Sequence, residues 1–147
     1  MMATRDTTTG SNYEQIIEAC LKRSCEKNGL VALPQVSIGD KPGGGKHRVD
    51  WEIHKAGDED VRGLISCKFQ GTSGTAEEKI PYEVIKLLNS MEADNRYKKS
   101  WIIMGGDGWS PGMRVFVLNH LHRWIPEMQN RVSILTTDQF INSNLDL

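Results

Sequence analysis

Two stretches of the sequence decide the fold: Arg48-Val-Asp-Trp-Glu-Ile-His-Lys55 and Gly63-Leu-Ile-Ser-Cys-Lys-Phe-Gln70. Polar and apolar residues alternate in both, which is typical of β-strands that have one polar face. On that face the first stretch carries Asp50, Glu52 and His54, and the second carries Ser66, Lys68 and Gln70. If the two strands pair as a hairpin, an acidic face and a lysine-bearing face lie side by side on one surface of a sheet.

The surrounding sequence predicts helices on both sides of these strands. Ser11 and Glu14 have the spacing of a capping box and precede an apolar repeat of helical period, which predicts a helix over residues 12–27. The next helix ends near residue 91, and two starts are open for it: a capping box of Thr75 with Glu78, or a first turn at Pro81. Further strands are predicted over residues 30–38, 100–104 and 132–135, and further helices over residues 113–124 and 137–144, with Trp124 facing inward in the former.

This order, αβββαβαβα, indicates an α/β (α+β) fold with a mixed central sheet flanked by helices. The first three strands form a meander of antiparallel pairs, and the later strand-helix-strand unit supplies a parallel crossover. With 147 residues, 38% of them hydrophobic, we expect a single domain over residues 11–147 after a flexible start over residues 1–10.

Composition excludes several classes of protein. The sequence contains no run of apolar residues long enough for a membrane span, and the polar N-terminus is unlike a secretory signal, so we expect an intracellular, cytoplasmic protein of a bacterium or a phage-infected cell. Three cysteines without CxxC spacing indicate neither a disulfide framework nor a cysteine-rich zinc site. The net charge of −1 gives no sign of nucleic-acid binding but leaves room for opposed acidic and basic patches.

The motif residues resemble the PD-(D/E)XK nuclease superfamily. The resemblance rests on Val49-Asp50, on Ser66-Cys67-Lys68, and on a first helix that begins with Gly10-Ser-Asn-Tyr-Glu14. It implies a restriction-endonuclease-like αβββαβ core in which Asp50, Glu14 and the backbone carbonyl of Cys67 bind Mg²⁺, or Mn²⁺, and Lys68 is the catalytic lysine. Phosphodiester hydrolysis suits these residue types, since hard cations prefer oxygen ligands and a lysine can orient the attacking water.

One position departs from the superfamily pattern. Ser66 stands where the second acid is expected. The resemblance to members that lack this acid implies that Ser66 is itself the neutral site residue or that an acid has migrated, with Glu78, Glu83 and Glu52 as the candidates. Gln70 is placed at the site on the same resemblance.

The resemblance further implies a site-specific DNA endonuclease of the homing or restriction type. A chain of this size would act on double-stranded DNA as a homodimer or homotetramer, and Lys46, Arg48 and Lys79 are candidate DNA contacts. Two other functions stay open: a Holliday-junction resolvase, and a non-catalytic nucleic-acid-binding protein with a degenerate nuclease fold.

Structural explanations compete with each of these assignments. Asp50 and Lys68 could form a cross-strand ion pair with no catalytic role, and Glu14 could serve only the capping box. The glycine-rich stretch before Asp50 could be a plain flexible hairpin loop, since its spacing is not that of a Walker motif.

Overall fold

In the computed structural model, residues 5–72 and 76–147 are described, with side chains from residue 12 onward. The described helices are α1 (Arg5–Asn28), α2 (Ala76–Ala93), α3 (Pro111–Val115) and α4 (Thr137–Ile141). The strands are β1 (Leu30–Asp40), β2 (Lys46–Lys55), β3 (Asp58–Phe69), β4 (Tyr97–Gly105) and β5 (Val132–Thr136). The predicted order of elements is therefore confirmed.

The five strands form one mixed sheet in the order β1-β2-β3-β4-β5. The pairs β1–β2 and β2–β3 are antiparallel, as the predicted meander requires, and β3–β4 and β4–β5 are parallel. The parallel half follows from α2, which returns the chain to the start of β4 across one face of the sheet.

Two apolar clusters lie on opposite faces of this sheet. One joins α1 and α4 to the sheet through residues such as Ile17, Ile65 and Phe140. The other joins α2 and the segment after α3 to the opposite face through residues such as Leu64 and Val84. Neighbouring residues of β3 thus serve different clusters, which places Cys67 on the α1 face and Lys68 on the α2 face.

The first two helices differ from the prediction at their N-terminal ends. Helix α1 begins at Arg5 rather than near residue 12, so Ser11 lies within the helix and cannot cap it. Helix α2 begins at Ala76 and contains Pro81, so the prediction of a start at Pro81 is wrong. The alternative start, a capping box at Thr75, lies outside the described residues.

The predicted helix over residues 113–124 differs from the structure more than any other predicted element. After α3 the chain makes a π-helical turn (Phe116–His120) and then a 3₁₀ turn (Leu121–Arg123). The changed pitch keeps Val117 and Leu121 buried but turns Trp124 outward, where 75% of its surface is exposed. Trp124 is therefore not a core residue.

No helix in the described part of the chain combines the length and the apolar character needed to cross a membrane.

Candidate active site

The site begins where the pairing of β2 with β3 ends. The last paired residues are Trp51 and Ile65, and beyond them β3 continues beside β4 alone. In place of a backbone partner on β2, the amide of Cys67 donates a hydrogen bond of 2.7 Å to Oδ2 of Asp50. The carboxylate therefore lies in the gap between two strands that separate, beside the backbone of the Ser66-Cys67-Lys68 motif.

At Asp50, the side chains of β2 switch from one face of the sheet to the other. Val49 packs in the cluster under α2, whereas Trp51 packs against the cluster under α1, although simple alternation would place both on one face. The neighbouring strand β1 makes the same switch at Gln35, whose φ of 53° lies in the left-handed region. The prediction of one polar face shared by Asp50, Glu52 and His54 is therefore wrong, and Asp50 does not share a surface of the sheet with Lys68: Asp50 lines the α1 side, whereas Lys68 lies on the α2 side.

On the α1 side, Asp50 and Glu14 line one cavity of about 350 Å³ together with Tyr13, Gln35 and Cys67. Tyr13 is buried and its hydroxyl donates a 2.9 Å hydrogen bond to the carbonyl of Ile103, which anchors this turn of α1 to the sheet. Glu14 follows directly in the chain and is exposed to the cavity. Two carboxylates from different elements thus share one solvent-accessible space.

The charges of this cavity act on the Cys67 thiol. Burial, followed by the negative charge of Asp50, raises the pKa of Cys67 to about 12. Burial and the nearby Cys67, Asp50 and Glu14 also raise the pKa of Tyr13. Both groups are therefore neutral at physiological pH, and the carboxylates are the anionic groups of the cavity.

On the α2 side, Lys68 pairs with Glu83. Lys68 Nζ lies 3.3 Å from Glu83 Oε1, and Lys86 Nζ lies 2.8 Å from the same oxygen. His47 Nε2 lies 3.5 Å from the other carboxylate oxygen. Since the carboxylate that Lys68 contacts is Glu83, a structural pair of Lys68 with Asp50 is not what holds the lysine.

Glu83 is only 2% exposed, and its neighbours keep it ionised. Burial by itself would raise its pKa, but the interaction with His47 and the charges of Lys68 and Lys86 outweigh that effect and lower the pKa of Glu83. Among the three candidates for a migrated acid, the structure brings Glu83 into contact with the lysine.

The other two candidates are placed differently. Glu52 is buried and accepts hydrogen bonds from Arg62 (2.9 Å) and from the Tyr97 hydroxyl (2.6 Å). Its register partner on β3 is Leu64, before the motif. Glu78 lies exposed in the first turn of α2.

Ser66 and Gln70 are both buried on strand β3 or at its end. The Gln70 side chain donates to the carbonyl of Gly108 (2.8 Å) and accepts from the amide of Glu77 (3.2 Å). Gln70 thus ties the end of β3 to the β4–α3 loop and to the start of α2.

The candidate DNA contacts Lys46, Arg48 and Lys79 are all exposed. The loop ahead of Lys46 is anchored to α2, because the Tyr82 hydroxyl donates to the carbonyl of Pro42 (2.9 Å) and Asn89 donates to the carbonyl of Asp40 (3.0 Å). These contacts argue against a loose hairpin loop.

The donor set agrees with a hard divalent cation. Asp50 and Glu14 offer carboxylate oxygens, and the cavity has room for the water ligands that Mg²⁺ retains. No three His, Cys, Asp or Glu side chains form a ready metal cluster within residues 12–72 and 76–147. The residues present therefore fit a divalent cation that is held by two protein carboxylates, with water completing its coordination shell.

Sequence reasoning missed His47. It follows the glycine-rich stretch and belongs to none of the predicted site motifs, yet it is 2% exposed and contacts both Glu83 and Ser90. Its apolar neighbour Val49 at the alternate position of β2 was a signal that position 47 also faces inward.

Comparison with known proteins agrees with this geometry. The family model described as "PD-(D/E)XK nuclease superfamily domain" matches residues 7–145, and the chain therefore belongs to the PD-(D/E)XK nuclease superfamily. Nucleases of this superfamily act on DNA and generally use divalent metal ions.

A solved crystal structure of a protein of unknown function, AF1548, is similar to this chain with 12% identity and a TM-score of 0.48. The match covers 84% of this chain and 56% of that one, so this chain spans little more than half the length of that protein. No curated protein sequence matches this chain.

Proposed function

We propose that this protein is a divalent-metal-dependent endodeoxyribonuclease that hydrolyses phosphodiester bonds of double-stranded DNA, with Mg²⁺ as its metal and a specific recognition site of the homing or restriction type. The observation that carries the proposal is the arrangement around the end of the β2–β3 pairing. There the carboxylate of Asp50 bonds to the backbone of Cys67, and the next residue, Lys68, is paired with an ionised acid from α2.

In this proposal Asp50 and Glu14 hold the cation, with the Cys67 carbonyl as a further oxygen ligand. Support comes from the cavity that both carboxylates line. The hydrogen bond from the Cys67 amide fixes Asp50 Oδ2, which leaves Oδ1 for other partners. The bound cation supplies Lewis-acid stabilisation of the phosphate and lowers the pKa of a bound water.

Lys68 is the proposed catalytic lysine. Its side chain is 25% exposed, so it is partly accessible to solvent while Glu83 restrains the ammonium group. An ammonium group beside the reacting phosphate orients the attacking water by hydrogen bonding and stabilises negative charge that develops in the transition state. Glu83 takes the place of the acid that position 66 lacks, while Ser66 and Gln70 maintain the polar end of β3.

The exposed cations Lys46, Arg48 and Lys79 are proposed to contact the DNA backbone. Arg48 is exposed and lies two residues before Asp50 on β2, and an arginine there is suited to contact a phosphate of the DNA backbone. A homodimer or homotetramer would supply one such site to each strand of a duplex.

Cleavage of plasmid and genomic DNA, with and without Mg²⁺, tests the proposal when wild type is compared with Lys68→Ala. Lys98→Ala is the matched control, because Lys98 is an exposed lysine outside the site that donates to the carbonyl of Asn95. We expect cleavage that requires Mg²⁺ and Lys68 and is unaffected by Lys98→Ala. Preferential cleavage of four-way junctions would instead identify a junction resolvase.

Thermal unfolding with Mg²⁺ or Mn²⁺ tests the metal ligands separately from cleavage. A cation that binds the native state raises the melting temperature, and Asp50→Asn and Glu14→Gln should each reduce that rise. Absence of both cation stabilisation and cleavage would favour a non-catalytic binding protein and overturn the proposal.

A further inference from the structure

We infer that His47, which is hydrogen-bonded to Ser90, restrains the Glu83 carboxylate that pairs with Lys68, which makes His47 a positioning residue of the site. The catalytic consequence rests on the proposed function, but the contacts among His47, Ser90, Glu83 and Lys68 lie within the protein and do not depend on it. His47 lies on β2, three residues before Asp50, and Ser90 and Glu83 lie on α2.

The three polar side chains are enclosed by the apolar layer between α2 and the sheet. His47, Ser90 and Glu83 are each only 2% exposed. His47 Nδ1 lies 3.0 Å from Ser90 Oγ, and Nε2 lies 3.5 Å from Glu83 Oε2. Three buried polar groups in series are costly unless they satisfy one another.

The ionised carboxylate of Glu83 determines which groups donate hydrogen bonds and which accept them. Glu83 is ionised and can only accept, so the imidazole nitrogen that faces it carries hydrogen. In the neutral imidazole Nδ1 is then the acceptor, and the Ser90 hydroxyl donates to it. The carboxylate thereby favours the tautomer that presents an N–H to Glu83, and the Ser90 hydroxyl holds the ring through Nδ1.

The contact between His47 and Glu83 is close but not fully formed. Nε2 is buried and lacks a well-aligned hydrogen-bond partner among the described residues, although the carboxylate lies 3.5 Å away. The N–H at Nε2 and the carboxylate attract each other at this distance, and this attraction restrains Oε2 of Glu83.

The two oxygens of the Glu83 carboxylate have different partners, and this difference affects Lys68. Oε2 faces His47, while Oε1 contacts both Lys68 and Lys86. Loss of the imidazole N–H would remove the restraint on Oε2, so the carboxylate could turn while it stays paired with Lys86, and the ammonium group of Lys68 would be held less firmly. A histidine that only filled space would have no such effect on the lysine.

Two substitutions at position 47 separate these roles. His47→Gln keeps an N–H donor near the place of Nε2, whereas His47→Asn keeps a polar group near Ser90 but does not reach Glu83. We expect His47→Asn to lower kcat roughly 10–100-fold with little change in KM, and His47→Gln to restore most of the loss. Ser90→Ala should lower kcat about two- to tenfold, because Nδ1 of His47 loses its partner and the ring is held less firmly.

A readout that does not require activity is the rate at which Lys68 is acetylated by a small reagent, measured by mass spectrometry. Release from Glu83 should make Lys68 react faster in His47→Asn than in wild type or His47→Gln, with exposed Lys98 as the internal reference. If His47→Asn does not fold, Ser90→Ala provides the same comparison.

The inference is overturned if the two substitutions at position 47 behave alike in kcat and in labelling of Lys68. If Lys68→Ala retains cleavage while His47→Asn still changes labelling, the proposed catalytic role fails but the chain of contacts stands.

Discussion

Replacing Glu83 with glutamine should remove a large part of the stability of the protein. The substitution keeps the shape of a side chain that is 2% exposed but leaves Lys68 and Lys86 without their shared negative charge. Breaking a buried ion pair costs roughly 3–5 kcal/mol. Because the two lysine side chains are 25% and 19% exposed and can turn toward water, we expect a loss below this range, about 2–3 kcal/mol.

The pH dependence of this loss has a defined sign. The pKa of Glu83 is lowered in the folded protein, so ionisation stabilises the fold above the ordinary glutamate pKa of about 4.3. That contribution declines as the pH falls below 4.3 toward the lower folded-state pKa. The difference between wild type and Glu83→Gln should therefore be full at pH 7 and smaller by about 1–2 kcal/mol at pH 3.

Urea unfolding followed by circular dichroism at both pH values measures these differences. Glu78→Gln is the matched control, since Glu78 is an exposed acid of the same helix, and its effect should stay within about 0.5 kcal/mol. A loss for Glu83→Gln below about 1 kcal/mol at pH 7, or an equal loss at pH 3, would refute the reasoning about the buried charge cluster.

Three further predictions concern the cavity residues Tyr13, Gln35 and Cys67. Gly105→Ala should lower stability by about 1–3 kcal/mol, because the added methyl group would overlap the Tyr13 ring, whereas Gly112→Ala meets open space and should be tolerated; thermal unfolding compares them. Gln35→Val should cost about 1–2 kcal/mol in urea unfolding, because a β-branched residue resists the left-handed backbone, while Gln35→Gly should stay within about 1 kcal/mol of wild type. The Cys67 thiol, with its pKa near 12, should be alkylated at pH 8 far more slowly in the native than in the urea-unfolded protein, and equal rates by mass spectrometry would contradict the burial of this group.

Much of the fold could be predicted because each regular element repeats one simple pattern. The strands around Asp50 and Lys68 alternate over most of their length, and α2 repeats apolar residues with helical period. The element order was then sufficient for a mixed sheet, since a meander gives antiparallel pairs and a helical crossover gives parallel ones.

The errors lie where the backbone leaves its regular period. A π-helical turn and a 3₁₀ turn change the residues per turn, so the pattern that placed Trp124 inward no longer applied. The paired change of facing at Gln35 and Asp50 likewise breaks the two-residue period of the strands. The π-helical turn contains no proline or glycine that would signal it, whereas Pro34, directly before Gln35, was a signal of an irregularity in β1 that strand alternation does not show.

The site could be predicted only in part for a related reason. Asp50, Lys68 and Glu14 belong to local motifs and could be selected from spacing alone. The contact between Lys68 and Glu83 depends on how α2 crosses the sheet, which single-sequence periodicity does not fix. His47 enters the site through the same packing, and so it was not identified from the sequence.

The outward position of Trp124 gives the protein a natural optical reporter. Trp101 and Trp109 are buried and Trp51 is partly buried, whereas Trp124 is 75% exposed. Its emission should therefore be the reddest of the four and the first to be quenched by iodide. A binding partner that covers this side chain would shift the Trp124 emission to the blue and reduce its quenching by iodide, so binding could be measured without a label on the protein.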